Sequence, residues 1–537
     1  RIAFSRADSL RGALTPLRTC YDVGFYDLRV RVDVAGRRLE GANKIVYRAT
    51  TPFREMQVDL FENLSISRIT QRGQPLSFRR EAGAVFVTLP AEQQRGAVDS
   101  ITVRYAGRPV VAKNAPWDGG FVWTKDKNGN PWVGVACEGI GASLWWPCKD
   151  HPSDEPDSLY LSCEVPRPLV CVSNGNPRGT SPAAGDFTRY DWKVTYPINS
   201  YNVTLNIGAY THFADTYTAA DGDTLALDYY VMPYHERKAR QHFAQVKPML
   251  ACFEQYFGKY PFPRDGYALV ETPYLGMEHQ SAVAYGNNYQ QGYMGQDLSG
   301  VGLDFDYLII HESAHEYWGN SVTAADHAEM WIQESFTTYA EALYVECMLG
   351  YPTALRYLQG EARLIENAEP ILGPPEVGYA GWLTSDHYFK GALMLHTLRN
   401  AIGDDKLWFD ILFGLSSTFR HKIIRTADVV AFVNAKTGKD FTAFFDQYLR
   451  HPALPVLQYR IKPRAGGVEL ANRWQADVPG FAMPVQVGFR KGPYTTLSPT
   501  TDWQMVALAG DAASFRVATE RFYVRTANLT GGAAEKK

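Results

Sequence analysis

Four stretches in the first two hundred residues alternate apolar and polar positions: YDLRVRVDV (26–34), EMQVDL (55–60), AVFVTL (84–89) and SITVRY (100–105). A period of two puts successive side chains on opposite faces, the mark of half-buried antiparallel strands. Clusters rich in Asn, Gly and Pro, DKNGNP (126–131) and SNGNPRG (173–179), separate the strands as turns. After about residue 235 the period changes. HERKARQHFAQVKPMLACFEQYFG (235–258) has helical spacing and stops at a glycine. Short strands are predicted around YALVETP (267–273). Helices are predicted through DYLIIHESAHEYWG (306–319), AEMWIQESFTTYAEALYVECMLG (328–350), HYFKGALMLHTLRNAIG (387–403) and TAFFDQYLR (442–450). The two prolines of HPALP (451–455) resist helix continuation, and alternation returns in VLQYRI, PVQVGF, WQMVALAG and RFYVRT.

The expected fold is therefore α+β and multidomain. A β-rich domain over 1–215 precedes a mainly helical domain over 216–451, and a small β-sandwich over 452–537 follows. A chain of 537 residues is too long for one core, which agrees with three domains. Charge changes the picture little. With 54 basic and 57 acidic residues the formal net charge is −3, and nothing favours a nucleic-acid partner. No apolar run is long enough for a membrane-spanning helix. The seven cysteines form no C-x-x-C pair and no dense framework, so neither a thiolate metal site nor a disulfide scaffold is expected. Cys137 and Cys148 are read as core packing, or as a disulfide in an oxidising compartment. The chain starts at Arg1 rather than Met. A processed leader and an exported enzyme, periplasmic or extracellular rather than cytoplasmic, are the expectation.

The chemistry concentrates in HESAHEYWGNSVTAADHAEMWIQESF (311–336). Residues four apart on a helix lie one turn above each other. His311 and His315 can thus present ring nitrogens to one ion, with Glu312 at the neighbouring edge. Two imidazoles and a carboxylate are a catalytic zinc set that leaves a position for water. A bare H-E-x-x-H also describes a surface helix with two histidines. Glu334 shifts the balance: it lies among Trp331, Ile332 and Phe336 on a second helix, where an unpartnered carboxylate is costly and a metal would compensate it. Glu316, Asn320 and Glu329 flank the ligands as candidates to orient the imidazoles.

HESAHEYWGN, with Glu334 in WIQESF separated from His315 by eighteen residues, resembles the zinc signature of the aminopeptidase N family of gluzincins. The resemblance runs from about Cys20 through FFDQYLRHPALP into the last strands. It implies a thermolysin-like catalytic domain over 216–451 and one zinc ion per chain. It also implies a shorter, three-domain arrangement without the large helical domain that longer members append. YLGMEHQSAVAYGNN (274–288) resembles the family's exopeptidase motif G-x-M-E-N, so Glu278 is implied to bind the substrate's free amino terminus. The stretch departs from that motif at Leu275 and His279. Glu138, in VACEGIGASLWWPC (135–148), stands where members carry a Glu or Gln that shares the amine. Tyr388 in YFKG matches a tyrosine whose hydroxyl meets the oxyanion of the tetrahedral intermediate. Tyr274 is a candidate wall of the pocket for the first side chain.

The function expected is removal of the N-terminal residue from peptides by metal-activated water, with Glu312 as general base and a free amino terminus as the recognised group. A zinc endopeptidase would share the metal helix but would not need Glu278. A non-catalytic peptide-binding member would be expected to lack a ligand, the base or the tyrosine, and all are present. An epoxide-hydrolysing relative would need a lipid pocket that no stretch identifies. Oligomeric state and substrate side-chain preference are not legible.

Overall fold

The computed structural model describes residues 4–490 and 492–531. In strand Tyr21–Asp33 the alternation becomes a layer: Tyr26, Leu28, Val30 and Val32 are buried while Arg29 and Asp33 face outward. This strand pairs antiparallel with Arg38–Ala49 and parallel with Ser158–Pro166, at the centre of an eight-stranded sheet. A three-stranded sheet (Phe53–Asp59, Ser77–Glu81, Ala84–Gln93) and a four-stranded one complete the β-rich part. In the four-stranded sheet, strand Pro131–Ala136 runs directly into Cys137 and Glu138.

A mixed five-stranded sheet joins Thr211–Thr218, Thr224–Val231, Tyr267–Glu271, Val283–Tyr285 and Gly276–Met277. The boundary expected between residues 215 and 216 falls inside its first strand. The edge strand Gly276–Met277 pairs with Val283–Tyr285 (Met277 opposite Ala284), which places Glu278 at the end of the sheet.

The helix expected over 235–258 is two helices, Glu236–His242 and Val246–Phe257, joined by a 3₁₀ turn at Phe243–Gln245. Pro248 supplies the reason: its ring clashes with the carbonyl four residues back, at Ala244, and it has no N–H to give. The helix expected over 306–319 is α-helical only over Tyr307–Ala314 and then tightens into turns. Helices Trp331–Leu349, Asp386–Ile402 and Thr442–Arg450 match their apolar periodicity. The first of these is buried all round from Trp331 to Val345, as an apolar helix in the middle of a domain must be.

Two small sheets close the chain: Gln504–Leu508, Gly467–Gln475, Val456–Arg464, Arg525–Asn528, and Thr495–Leu497, Val485–Phe489, Phe515–Val517. The strand expected at 521–526 begins only at Arg525, because the N–H groups of Arg521 and Phe522 turn back to the Ala518 carbonyl, at 2.9 and 3.1 Å. This β part shares one apolar cluster with the helices, from Trp331 through Tyr448 to Leu457 and Trp474.

Cys252 and Cys347 form a disulfide between helices Val246–Phe257 and Trp331–Leu349, which cysteine spacing did not predict. Cys137 and Cys148 are buried and separate, so the packing reading of that pair is the correct one. No described helix is long and apolar enough to cross a membrane.

Candidate metal centre and active-site cleft

Asp306 starts the histidine helix. Its carboxylate accepts from the backbone N–H of Leu308 and Ile309 at 2.9 and 3.4 Å, capping the helix. Tyr285 and Asn287 donate to the same carboxylate, at 2.7 and 2.9 Å, and tie the cap to the five-stranded sheet. One turn on, His311 and His315 point the same way. Their Nε2 atoms are 3.3 Å apart, and Glu334 Oε2 lies 3.6 Å from the first and 3.4 Å from the second. All three residues are buried.

That triangle fits zinc. Ligands bound at about 2.0–2.1 Å in a tetrahedron stand about 3.3–3.4 Å apart. Tautomers support the fit. His311 Nδ1 donates to Glu341 Oε1 at 2.6 Å, and His315 Nδ1 donates to the Trp318 carbonyl at 2.8 Å. Both partners only accept, so each Nδ1 carries the proton and each Nε2 turns a lone pair inward. Glu334 Oε2 is buried without a hydrogen-bond donor among the described residues. Two lone pairs and a carboxylate oxygen converging on one point call for a cation.

The imidazoles are oriented by Glu341 and the Trp318 carbonyl, not by Glu316, Asn320 or Glu329. Glu316 accepts from Ser281 N–H and the Tyr260 hydroxyl, at 2.8 and 3.0 Å, and so fixes the turn after Glu278. Asn320 donates to the Glu278 carbonyl at 2.7 Å, and Glu329 accepts from Thr426 N–H at 2.7 Å. Glu341 follows Glu334 by seven residues, two helical turns on the same face. That spacing was the signal available in the sequence.

Glu312 faces a cleft of about 540 Å³, beside Glu138, Glu278 and Tyr388. Gly276 makes the room: a Cβ there would lie 2.8 Å from Glu312 Oε1 and 2.6 Å from Leu308. Burial pushes the Glu312 carboxyl up to about 8. Burial, then the nearby Glu278 carboxylate, pushes Glu138 well above the usual range, and Glu278 is raised mainly by burial. One oxygen each from Glu138, Glu278 and Glu334 lie within 4.8 Å of one another. Glu278 is held by the Tyr201 hydroxyl, which donates to Oε1 at 2.9 Å and in turn accepts from Gln333 at 3.1 Å.

Tyr388 sits in the first turn of helix Asp386–Ile402, its ring stacked at 6.0 Å on that of His311. Burial holds its hydroxyl well above the ordinary phenol range, so it stays a proton donor. The neighbours in YFKG explain the placement. Gly391 lets the helix close on Ser335, whose Oγ would lie 1.7 Å from a Cβ there. Lys390 donates to the carbonyls of His451 and Pro452, both at 2.9 Å, tying the helix to the HPALP linker. Tyr274, expected as a pocket wall, is not in the cleft. It packs on Gly134 and donates to the Val135 carbonyl at 3.2 Å. His279, next in sequence to Glu278, is fully buried, and neither ring nitrogen meets a partner among the described residues.

Residues 242–448 match the Peptidase family M1 domain. The chain is 21% identical over 410 residues to Tricorn protease-interacting factor F2 of Thermoplasma acidophilum, covering 73% of this chain and 49% of that protein. It is 22% identical over 460 residues to aminopeptidase M1-D of Oryza sativa subsp. japonica, covering 81% and 50%. The chain thus spans about half the length of these relatives. Among solved structures, a mutant M1 zinc metallopeptidase of Deinococcus radiodurans bound to a Tyr-Ser-Ala substrate superposes with a TM-score of 0.67. That pair is 22% identical, with 83% of this chain and 98% of the other covered. The resemblance to the aminopeptidase N family and the expected fold class are both borne out.

Proposed function

We propose, from the premise that residues 242–448 match the Peptidase family M1 domain, that this protein is a zinc-dependent aminopeptidase. The observation that carries the reading is the adjacency of two sites. The donor triangle of His311, His315 and Glu334 lies beside carboxylate oxygens of Glu138 and Glu278 that come within 4.8 Å of Glu334.

Zinc held by His311, His315 and Glu334 would supply a Lewis acid for the scissile carbonyl and lower the pKa of a bound water. Glu312, in the cleft beside that triangle, accepts the proton of the attacking water and returns it to the leaving amine. The Tyr388 hydroxyl, protonated and without a partner among the described residues, donates to the oxyanion as it forms. Glu138 and Glu278 take the substrate's ammonium. Their buried carboxyls, costly to ionise alone, are matched when a cation enters. An internal peptide bond brings no such cation, so only the first bond is presented to the metal.

The experiment is a panel of aminoacyl anilides assayed with and without a chelator, alongside Glu312→Gln. Chelation should abolish hydrolysis, and zinc should restore it. Glu312→Gln should retain zinc and lose roughly two or more orders of magnitude in kcat. A zinc-loaded Glu312→Gln enzyme with near wild-type turnover removes the glutamate from its role.

A further inference from the structure

The segment ahead of the first strand makes contacts that the hydrolytic mechanism does not use. Helix Arg6–Gly12 lies against two walls of the cleft that are far apart in sequence. The Arg11 guanidinium donates through Nη2 to the carbonyl of Gly139, next to Glu138. The same nitrogen donates to the carbonyl of Gly378 at 3.2 Å. Gly378 belongs to the irregular strap of residues 365–385, which carries Trp382 and Ala380 into the cleft lining. Gly12 touches the strap by backbone alone: a Cβ there would lie 2.0 Å from Gly378 N and 2.2 Å from the Val377 carbonyl carbon. The helix itself is anchored from beneath. Arg18, fully buried, donates to the Arg11 carbonyl and pairs with Asp59 at 2.8 Å. Asp59 accepts from Asp150 N–H at 3.0 Å. The Asp150 carboxylate in turn accepts from Ala142 and Ser143 N–H, at 3.1 and 3.0 Å, and so fixes the loop that carries Glu138.

We infer that Arg11 is a positioning residue, and that helix Arg6–Gly12 clamps the Glu138 loop to the 365–385 strap and thereby sets the width of the amine-binding end of the cleft. The inference rests on the aminopeptidase reading. Glu138 is half-buried beside the buried Glu278, and their spacing decides how well an ammonium is matched. The main chain at Gly139 is tied by a charge-assisted bond whose donor is shared with the opposite wall. Loss of that donor lets both walls relax while the metal triangle and Glu312, on other elements, stay in place. Such a change weakens ground-state and transition-state binding alike, so it raises KM and spares kcat.

Two variants test this on the full chain loaded with zinc. Arg11→Met keeps the stem and removes the donors; Gly12→Ala keeps Arg11 and pushes the strap away. Each should raise KM for a free-amine aminoacyl anilide by roughly 5–20-fold, with kcat within about threefold of wild type. On a Glu138→Gln background the Arg11→Met effect on KM should shrink to within about twofold, because the residue acts through Glu138. KM unchanged in both variants overturns the inference, as does an Arg11→Met effect undiminished by Glu138→Gln. A fall in Tm and kcat with KM unmoved also overturns it, assigning the helix to stability alone. A wild-type enzyme that leaves free-amine anilides intact overturns the aminopeptidase reading itself; a wild type that cleaves them beside unaffected variants overturns only the clamp.

Discussion

His311 and Glu341 meet between two helices, imidazole Nδ1 2.6 Å from carboxylate Oε1, and this bond decides which nitrogen of His311 is free for a metal. Glu341 is itself fixed by the Tyr357 hydroxyl, which donates to its other oxygen. Replacement by Gln keeps the shape but weakens the acceptor. Glu341→Gln should lower zinc affinity by roughly 10–100-fold, measured by competition with a chromogenic chelator. At saturating zinc, kcat should recover to near wild type. Unchanged affinity would remove Glu341 from the metal site.

Gly276 and Glu312 share one space. Gly276 has ordinary backbone angles, so Ala is tolerated conformationally, yet its Cβ would stand 2.8 Å from the Glu312 carboxylate. Gly276→Ala should lower kcat by roughly 10–100-fold, as expected when a base is moved by a fraction of an ångström. Zinc content should not change, and metal analysis of the purified variant separates displacement of the base from loss of the ion.

The parts of the site carried by short spacings were legible in the sequence: His311 and His315 one turn apart, Glu334 on the next helix, Glu278 and Tyr388 in their own short motifs. Parts made by distant segments meeting were not. Tyr201 reaches Glu278 across 77 residues, and Arg11 reaches Gly139 across 128, with no periodicity to announce either contact. The Cys252–Cys347 disulfide spans 95 residues and exists because two helices pack side by side. The early end of the histidine helix at Ala314 was also hidden. There the Trp318 carbonyl turns back to His315 Nδ1 instead of continuing the helical ladder.

Metal removal should expose a pH-dependent loss of stability. Without a cation, burial raises Glu312 from its ordinary 4.5 to about 8. His315, despite burial, is raised from 6.5 to about 9, chiefly by the Glu334 carboxylate and then Glu278. In both cases the folded state binds the proton more tightly than the unfolded chain, so the stability these two groups contribute is full below their unfolded values and is lost as pH rises through the shifted ones. The Tm of chelated protein should decline between about pH 5 and 9. Zinc, which needs deprotonated ligands, should stabilise most at the upper end of that range. A chelated protein whose Tm rises over this range would contradict the assignment.

His279 is an imidazole with both nitrogens unpartnered among the described residues, and burial lowers its pKa to about 3. A buried polar group without partners costs roughly 1–3 kcal/mol, and an apolar side chain of similar volume avoids that cost. His279→Leu should raise Tm by roughly 1–4 °C, read by thermal unfolding of the zinc-loaded enzyme. A lower Tm would show that the imidazole makes a bond the packing does not reveal.

On the proposed reading, one cluster both binds zinc and counts from a free amino terminus. The direct measurement is kcat/KM of zinc-loaded wild type on an aminoacyl anilide and on its N-acetylated counterpart. Acetylation removes the positive charge that Glu138 and Glu278 are proposed to match, so the free substrate should be cleaved at least roughly 10²–10³-fold faster, the span that buried charge pairs carry. Both rates should vanish with chelation. Equal rates on the two substrates would rule out recognition of the free amine by Glu138 and Glu278.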